Sequence, residues 1–236
     1  MASSVCVVVP TYCERENLAP VVARIRASVP EARVLIVDDA SPDGTGELAD
    51  ELAATDPDVT VLHRPGKAGL GRAYVSGFGV ALEQGADLVF EMDADGSHQP
   101  EELPRLIEAL RQGADVVIGT RWMPGGEVRN WPLYRRAISR AGTGFARFML
   151  RSKLRDITSG YRGFRREALE SLSLSEVSSQ GYCFQVELAW LAERSGLAVA
   201  ERPITFVERT TGRSKMTLKI VAEAFWKVTL WGLTSR

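Results

Sequence analysis

Five short apolar runs recur through the first half of the chain: Val5–Val9, Val34–Val37, Val59–Leu62, Leu88–Met92 and Val116–Ile118. They are rich in β-branched residues and stop at polar turns, the pattern of strands buried on both faces. Between them lie stretches with helical spacing, at roughly 16–28, 45–54, 70–84 and 100–112. Pro100 followed by Glu101 and Glu102 suits a helix start, because proline fits the first turn and acids favour the positive end of the helix dipole. This alternation predicts an α/β chain, a parallel sheet covered by helices on both faces. Such a sheet places its ligand beyond the carboxyl ends of the strands. The residues expected there are Pro10-Thr11-Tyr12, Asp38-Asp39, His63-Arg64, Asp93-Ala94-Asp95 and Gly119-Thr120-Arg121.

The second half reads differently. Residues 132–150 and 182–195 carry helical patterns, and 199–207 reads as an edge strand interrupted by Pro203. Further on, Met216, Ile220, Val221, Phe225, Val228 and Trp231 fall at helical spacing, with Lys219 and Lys227 on other faces. That segment either lies on a membrane surface or packs on its own domain or an oligomer partner.

Net charge is −1 over 236 residues, but the charge is unevenly spread. From Arg121 to Arg166 there are twelve Arg or Lys and two acids, Glu127 and Asp156, a sum of +10. The rest of the chain holds 17 basic and 28 acidic residues, a sum of −11. Within the basic segment Arg135, Arg136, Ser139 and Arg140 fall on or near one helical face, and guanidinium groups grip phosphate oxygens in pairs. A phosphorylated substrate or an anionic membrane surface fits such a segment. No nucleic acid partner is expected, since the aromatic-and-glycine RNA motifs are missing and the excess is confined to one stretch. The apolar run at 5–9 is too short for a signal-peptide core, and no stretch reaches 18 apolar residues. Three cysteines (Cys6, Cys13, Cys183) without metal-ligand spacing suit a reduced, cytosolic protein.

Four strand-end motifs carry chemistry. Asp93 and Asp95, two residues apart after an apolar strand, can hold a hard divalent cation that shares its other positions with phosphate oxygens. A carboxylate in Asp38-Asp39-Ala40-Ser41-Pro42-Asp43-Gly44-Thr45 can accept hydrogen bonds from a ribose or base, with Asp39 the functional candidate and Asp43 a helix cap. Tyr12 and Glu14 offer a ring face and an acceptor to a base. The glycine-rich basic stretch from His63 to Arg72 suits an anion at a helix N-terminus, but it matches neither G-x-x-x-x-G-K-[ST] nor G-x-G-x-x-G.

Together these residues resemble the family-2 glycosyltransferases of GT-A fold, and within them the dolichol-phosphate (polyprenol-phosphate) mannose synthases. The matching stretches are PTYCERENL (10–18), DDASPDGT (38–45), PGKAGLG (65–71), DADGSHQP (93–100) and GTRW (119–122). They continue in the family's order with RRAIS (135–139), DITSGYRGFRR (156–166), GYCFQVE (181–187) and ERTTGRSK (208–215). The resemblance implies a mixed, mainly parallel, Rossmann-like sheet in a catalytic domain over 1–213, followed by an amphipathic helix over 214–236. It implies that Pro10, Tyr12, Glu14, Val37 and Asp39 cradle the guanosine of GDP-mannose. Asp93, Ala94 and Asp95 would meet the diphosphate, with Asp93 and Asp95 binding Mg²⁺ or Mn²⁺ and Asp95 the principal ligand. Arg121, Arg209 and Lys215 would neutralise the departing phosphates, so that Asp93, Asp95 and Arg121 form the catalytic set. Arg135 and Ser139 would hold the acceptor phosphate.

The implied reaction is an inverting transfer of mannose to dolichyl or polyprenyl phosphate at the cytoplasmic membrane face, giving a β-linked lipid and GDP. The lipid would be reached through the C-terminal helix, the basic segment or a separate membrane-anchoring subunit. Two other readings use the same sheet and carboxylates: a UDP-glucose-dependent polyprenyl-phosphate glucosyltransferase, and a metal-dependent nucleotidyltransferase attacking an α-phosphate. Cys13 stands where the family usually has Asn, Ala40 where it often has Gly, and Ser97 replaces a glutamine that ligates metal in some relatives. Tolerance of the first two is expected because both side chains are small.

Overall fold

A computed structural model of the chain describes residues 3–172, 174, 179, 182–209 and 218–234. The elements in order are β1 (Val5–Thr11), α1 (Arg15–Ser28), β2 (Arg33–Asp38), α2 (Thr45–Thr55), β3 (Val59–His63), α3 (Leu70–Glu83) and β4 (Leu88–Glu91). A single 3₁₀ turn at Pro100–Glu102 leads into α4 (Leu103–Arg111), then β5 (Val116–Thr120), β6 (Glu127–Arg129) and α5 (Leu133–Leu150). The rest is β7 (Arg162–Arg165), α6 (Arg166–Ser171), α7 (Tyr182–Arg194), β8 (Val199–Pro203), β9 (Thr205–Val207) and α8 (Leu218–Thr234).

Seven strands form one sheet in the order β3-β2-β1-β4-β7-β5-β8. Every pairing is parallel except those of β7, which runs antiparallel between β4 and β5. The sheet is thus mixed and mainly parallel. Alternate side chains of β1 feed two cores. Val5, Val7 and Val9 pack with α1, α2 and α4, and Cys6 and Val8 with α3, α5 and α7. At Gly77 of α3 the helix touches the sheet so closely that a Cβ would lie 2.4 Å from Val8 Cγ1.

The predicted edge strand at 199–207 is two strands. Pro203 has no N–H to continue a ladder, and the fully buried Ile204 turns the chain inward with its N–H on Thr120 O at 3.0 Å. β8 therefore closes the main sheet against β5, while β9 pairs with β6 in a separate two-stranded sheet. The C-terminal helix α8 packs on its own domain: Val228 sits in the core shared with α5 and α7, Phe225 lies 4.5 Å from Phe145, and Trp231 stacks on Trp190 at 5.5 Å. Its other side leaves Trp226, Leu230 and Leu233 exposed. Among the described residues no helix is long and apolar enough to cross a membrane.

Two of the departures carry a conformational cost that side-chain size does not show. Cys13 and Ala40 have φ of 57° and 55°, the left-handed region that favours Asn and Gly. Ala40→Gly is expected to stabilise the protein by about 0.5–1 kcal/mol, because the left-handed cost of an L-residue exceeds glycine's added freedom in the unfolded chain. Cys13→Asn is expected to act in the same direction. Urea unfolding checks both, and a loss of stability in both variants would contradict the strain.

Candidate functional site

The loops after β1 and β2 are laced together. Asp38 turns inward and accepts hydrogen bonds from Thr11 Oγ1 (3.1 Å), Ser41 Oγ (2.6 Å) and the Ser41 N–H (3.1 Å). Asp43 accepts from Thr45 Oγ1 (2.6 Å) and from the N–H of Thr45, the first residue of α2, at 3.1 Å. Thr45 Oγ1 in turn accepts from the Glu14 N–H at 3.0 Å, and the Cys13 N–H donates to Ser41 Oγ at 3.1 Å. Asp38 and Asp43 are thus occupied in building the loops. Asp39 faces another way, pairing with Arg64 and lying 3.4 Å from the Ala68 N–H, so the glycine-rich loop before α3 is tied to it. Tyr12 lies beneath the Lys67 ammonium, 4.0 Å from ring centroid to Nζ, and the Glu14 carboxylate accepts from Asn17 Nδ2 at 2.9 Å. Pro10 closes the same strand end. Val37 is wholly buried with its side chain against α3, so a ligand above the sheet would meet its backbone alone.

The turn after β4 holds the two candidate metal ligands. Tyr74 Oη donates to Asp93 Oδ1 at 3.1 Å. The Asp93 N–H donates to His98 Nδ1 at 3.2 Å, which leaves the proton of a neutral His98 on Nε2. Burial lowers the His98 pKa in spite of the two nearby aspartates. Asp95 Oδ1 accepts the Ser97 N–H at 3.0 Å, and Oδ2 lies 3.3 Å from Arg209 Nη2. Burial raises the Asp93 carboxyl above the ordinary range, outweighing His98, and the Asp95 charge adds to the rise. Burial acts the same way on Asp95, but Ser97 and the Arg209 charge together hold it below that range. Ala94 between them is buried in the core.

These residues fit a hard divalent cation. Two carboxylates converge on a polar turn, and the Ser97 hydroxyl is buried without a well-aligned hydrogen-bond partner among the described residues. The Arg209 guanidinium lies where positive charge is wanted. No cluster of three or more His, Cys, Asp or Glu among the described residues could hold a metal alone. The arrangement suits an ion completed by phosphate oxygens and water.

Arg121 follows β5. It is 7% exposed and takes both oxygens of Asp156, Nε to Oδ2 at 2.7 Å and Nη2 to Oδ1 at 2.8 Å, with Nη2 also 3.0 Å from Thr158 Oγ1. Trp122, Trp131 and Phe206 surround it at 5.4–5.6 Å. The residue expected on departing phosphates thus carries a bidentate carboxylate partner. On α5, Arg135 stacks on Trp131 at 4.4 Å and pairs with Glu208; Ser139 is one turn further on, half-buried. Arg136 turns aside to the Val128 carbonyl (2.7 Å), and Arg140 lies 5.0 Å over Trp122. Lys215 lies outside the described residues.

The structure joins the two ends of the site through aromatic contacts that sequence reasoning missed. His98 stacks on Tyr161 (4.9 Å) and meets the edge of Phe206 (5.5 Å), which meets Trp131 (5.3 Å) beneath Arg135. Val207 N–H donates to Ser97 O at 3.1 Å, fastening β9 to the metal turn. A lone Trp or Phe carries no motif, so only the stretches DITSGYRGFRR and ERTTGRSK hinted at Asp156 and Glu208. Below the turn, Glu91 is fully buried, its carboxyl pushed by burial up to about 7, with Gln185 Nε2 at 2.7 Å and the Arg162 charge opposing the rise.

Residues 6–173 match the profile of Glycosyl transferase family 2. The chain is 53% identical to a polyprenol monophosphomannose synthase of Mycolicibacterium smegmatis over 231 residues, covering 98% of this chain and 87% of that one. It is 54% identical to an undecaprenyl-phosphate mannosyltransferase of Micrococcus luteus over 232 residues, covering 98% and 95%. Among solved structures, a mannosyltransferase of Pyrobaculum calidifontis in complex with GDP-Man and Mn²⁺ aligns at a TM-score of 0.60 and 20% identity, covering 91% and 59%. At that identity the likeness speaks for the fold, a GT-A sheet.

Proposed function

We propose, from the premise that the chain belongs to glycosyl transferase family 2, that it transfers mannose from GDP-mannose to a polyprenyl or dolichyl monophosphate with inversion at C1. The products are β-mannosyl phospholipid and GDP. The observation that carries this reading is on α5. Arg135 meets Trp131 and Glu208 and Ser139 lies one turn further on, while Leu133, Tyr134, Ile138 and Phe148 are exposed on the same helix, Leu133 by 80% and Phe148 by 82%. An acceptor with an anionic head and an apolar tail would find a guanidinium and apolar side chains on one helix. Trp226, Leu230 and Leu233 of the neighbouring α8 are exposed as well, and Arg140 and Arg147 lie on α5 itself. Such a surface suits an anionic membrane interface. An odd number of cysteines (Cys6, Cys13 and Cys183) without metal-ligand spacing suits the reducing, cytoplasmic side. These helices offer a lipid contact of their own, to which an anchoring subunit would add.

In this reading Pro10, Tyr12, Glu14, Asp39 and the Val37 backbone hold the nucleoside. Asp93 and Asp95 hold Mg²⁺ or Mn²⁺, and the charges of Arg209 and Lys215 neutralise the phosphates. The cation supplies charge stabilisation to the departing diphosphate. Asp156 and the surrounding rings keep Arg121 rigidly placed, so its positive field needs no reorganisation during reaction. A phosphate monoester is largely dianionic near neutral pH, its second pKa being about 6. Its oxygen is a nucleophile that needs positioning more than deprotonation. That agrees with a site rich in arginine, in which burial favours a neutral His98.

The names of the two relatives, which both specify mannose and a polyprenyl phosphate, support the acceptor and the sugar. Arg135→Ala is expected to raise the KM for polyprenyl phosphate about 10- to 100-fold, the loss of a charge-assisted contact, and to change the donor KM far less. Steady-state kinetics with each substrate varied in turn checks this. An equal rise in both constants would contradict the assignment of Arg135 to the acceptor.

A further inference from the structure

Glu208 and Arg209 are consecutive residues just beyond β9, and each ends on an opposite charge in a different half of the site. Arg209 lies against Asp95 in the metal turn, and Glu208 lies across Arg135 with both carboxylate oxygens near Nη1. The backbone holds this segment firmly. Val207 N–H is on Ser97 O and Glu208 N–H on Arg129 O, both at 3.1 Å. Trp131 covers the Arg135 guanidinium, and the Arg135 and Glu208 side chains are 20% and 25% exposed. The pair is therefore partly withdrawn from water, where a countercharge counts for more than on an open surface.

We propose that Glu208 is a displaceable counter-ion of the acceptor site: it neutralises Arg135 until an acceptor phosphate takes the guanidinium, and so sets acceptor affinity. The proposal rests on the reading of Arg135 as the acceptor-phosphate residue. A carboxylate brings one negative charge and two oxygens to the guanidinium. A phosphate monoester brings between one and two charges and three oxygens, so it competes on favourable terms. Glu208 then acts through Arg135 as a positioning residue. It keeps the guanidinium charge-balanced and flat on Trp131 while the site is empty, and each acceptor that binds must first displace it. Arg209 repeats the arrangement with opposite signs at Asp95, so one short segment carries the countercharges of both halves.

The test is binding of a short, water-soluble isoprenyl monophosphate to the full chain, followed by calorimetry, together with acceptor kinetics. Glu208→Gln keeps the size and one accepting oxygen but removes the charge. It is expected to tighten binding about three- to tenfold, the scale of a partly exposed ion pair, and to lower the acceptor KM by the same factor. Glu208→Asp, which withdraws the carboxylate by one methylene, is expected to tighten binding by less. A residue that merely held Arg135 in place would give the opposite sign, weaker binding in both variants, and that result or unchanged binding overturns the proposal. Arg135→Ala separates the two levels. If it binds the isoprenyl phosphate like the wild type, the acceptor reading itself fails. If it binds weakly while Glu208→Gln shows no gain, only the counter-ion fails.

Discussion

Asp95→Ala is expected to lower metal-dependent turnover by about a thousandfold, the scale of losing a group that stabilises developing charge. Asp95 is the carboxylate of the pair held in its ionised form, by Ser97 and Arg209, against the burial that would neutralise it. Burial drives Asp93 the other way, so Asp95 is the ligand already prepared for a cation. Its removal leaves the Arg209 charge without its carboxylate in the metal turn, so added Mn²⁺ would meet a cation in place of an anion. The fold is expected to survive, because that ion pair belongs to the ligand site and lies outside both cores. The check is initial rate against Mn²⁺ concentration, with thermal unfolding in parallel. Activity within tenfold of wild type would refute Asp95 as a ligand, and a collapsed unfolding midpoint would show that its role is structural.

The second large effect is expected on stability. Arg162→Met should cost about 4 kcal/mol, within the range for breaking a buried charge network. Arg162 is fully buried in β7 and donates to three backbone carbonyls: Ser159 at 2.7 Å, Gln185 at 2.6 Å and Ile157 at 2.8 Å. It thereby fastens the loop before β7 and the helix α7 to the sheet. Burial lowers its own pKa to about 10, with the charges of Glu91 and Asp156 opposing the fall. Methionine fills most of the volume but leaves three carbonyls without donors and Glu91 without its opposite charge. For a chain of this size a loss of that order lowers the unfolding midpoint by about 8–16 °C.

The pH dependence gives the same mechanism a second handle. Glu91 has a folded pKa raised by burial to about 7, from an ordinary value of 4.5. Its stabilising contribution is therefore complete below about 4.5 and lost as pH rises through about 7. Arg162 opposes that rise, so its removal should make the loss of stability between pH 5 and pH 8 steeper than in the wild type. Denaturant unfolding at both pH values checks the cost and the slope. A cost below about 1 kcal/mol, or an unchanged slope, would contradict the buried network.

What was legible in the sequence follows from where the chain is chemically uniform. The strands β1 to β5 are nearly continuous apolar runs, and even Glu91 in β4 does not hide the pattern. β7 reads Arg-Gly-Phe-Arg and shows no strand signal, because its arginines are held by backbone carbonyls, which leave no trace in hydropathy. The acidic turn after β2 was legible as a mixture of roles. Asp43 at the start of α2 could be separated from Asp39, but Asp38 could not be recognised as the inward-facing partner of Ser41. The carboxylate pair at Asp93 and Asp95 was visible from its spacing together with its place after an apolar strand. Arg121 was visible as a cation but not as the partner of Asp156, 35 residues away. Trp131, Phe206 and Glu208 act through contacts between distant segments, and neither composition nor periodicity records those.

The central claim is that this glycosyltransferase moves mannose from GDP-mannose to a lipid phosphate. It is tested most directly by incubating the purified protein with Mn²⁺ or Mg²⁺, a polyprenyl monophosphate and a panel of labelled sugar nucleotides. The expected result is label in the organic phase from GDP-mannose, one GDP released for each mannosyl lipid formed, and a β-linkage in the product. Transfer from UDP-glucose but not from GDP-mannose, or release of pyrophosphate in place of GDP, would contradict it.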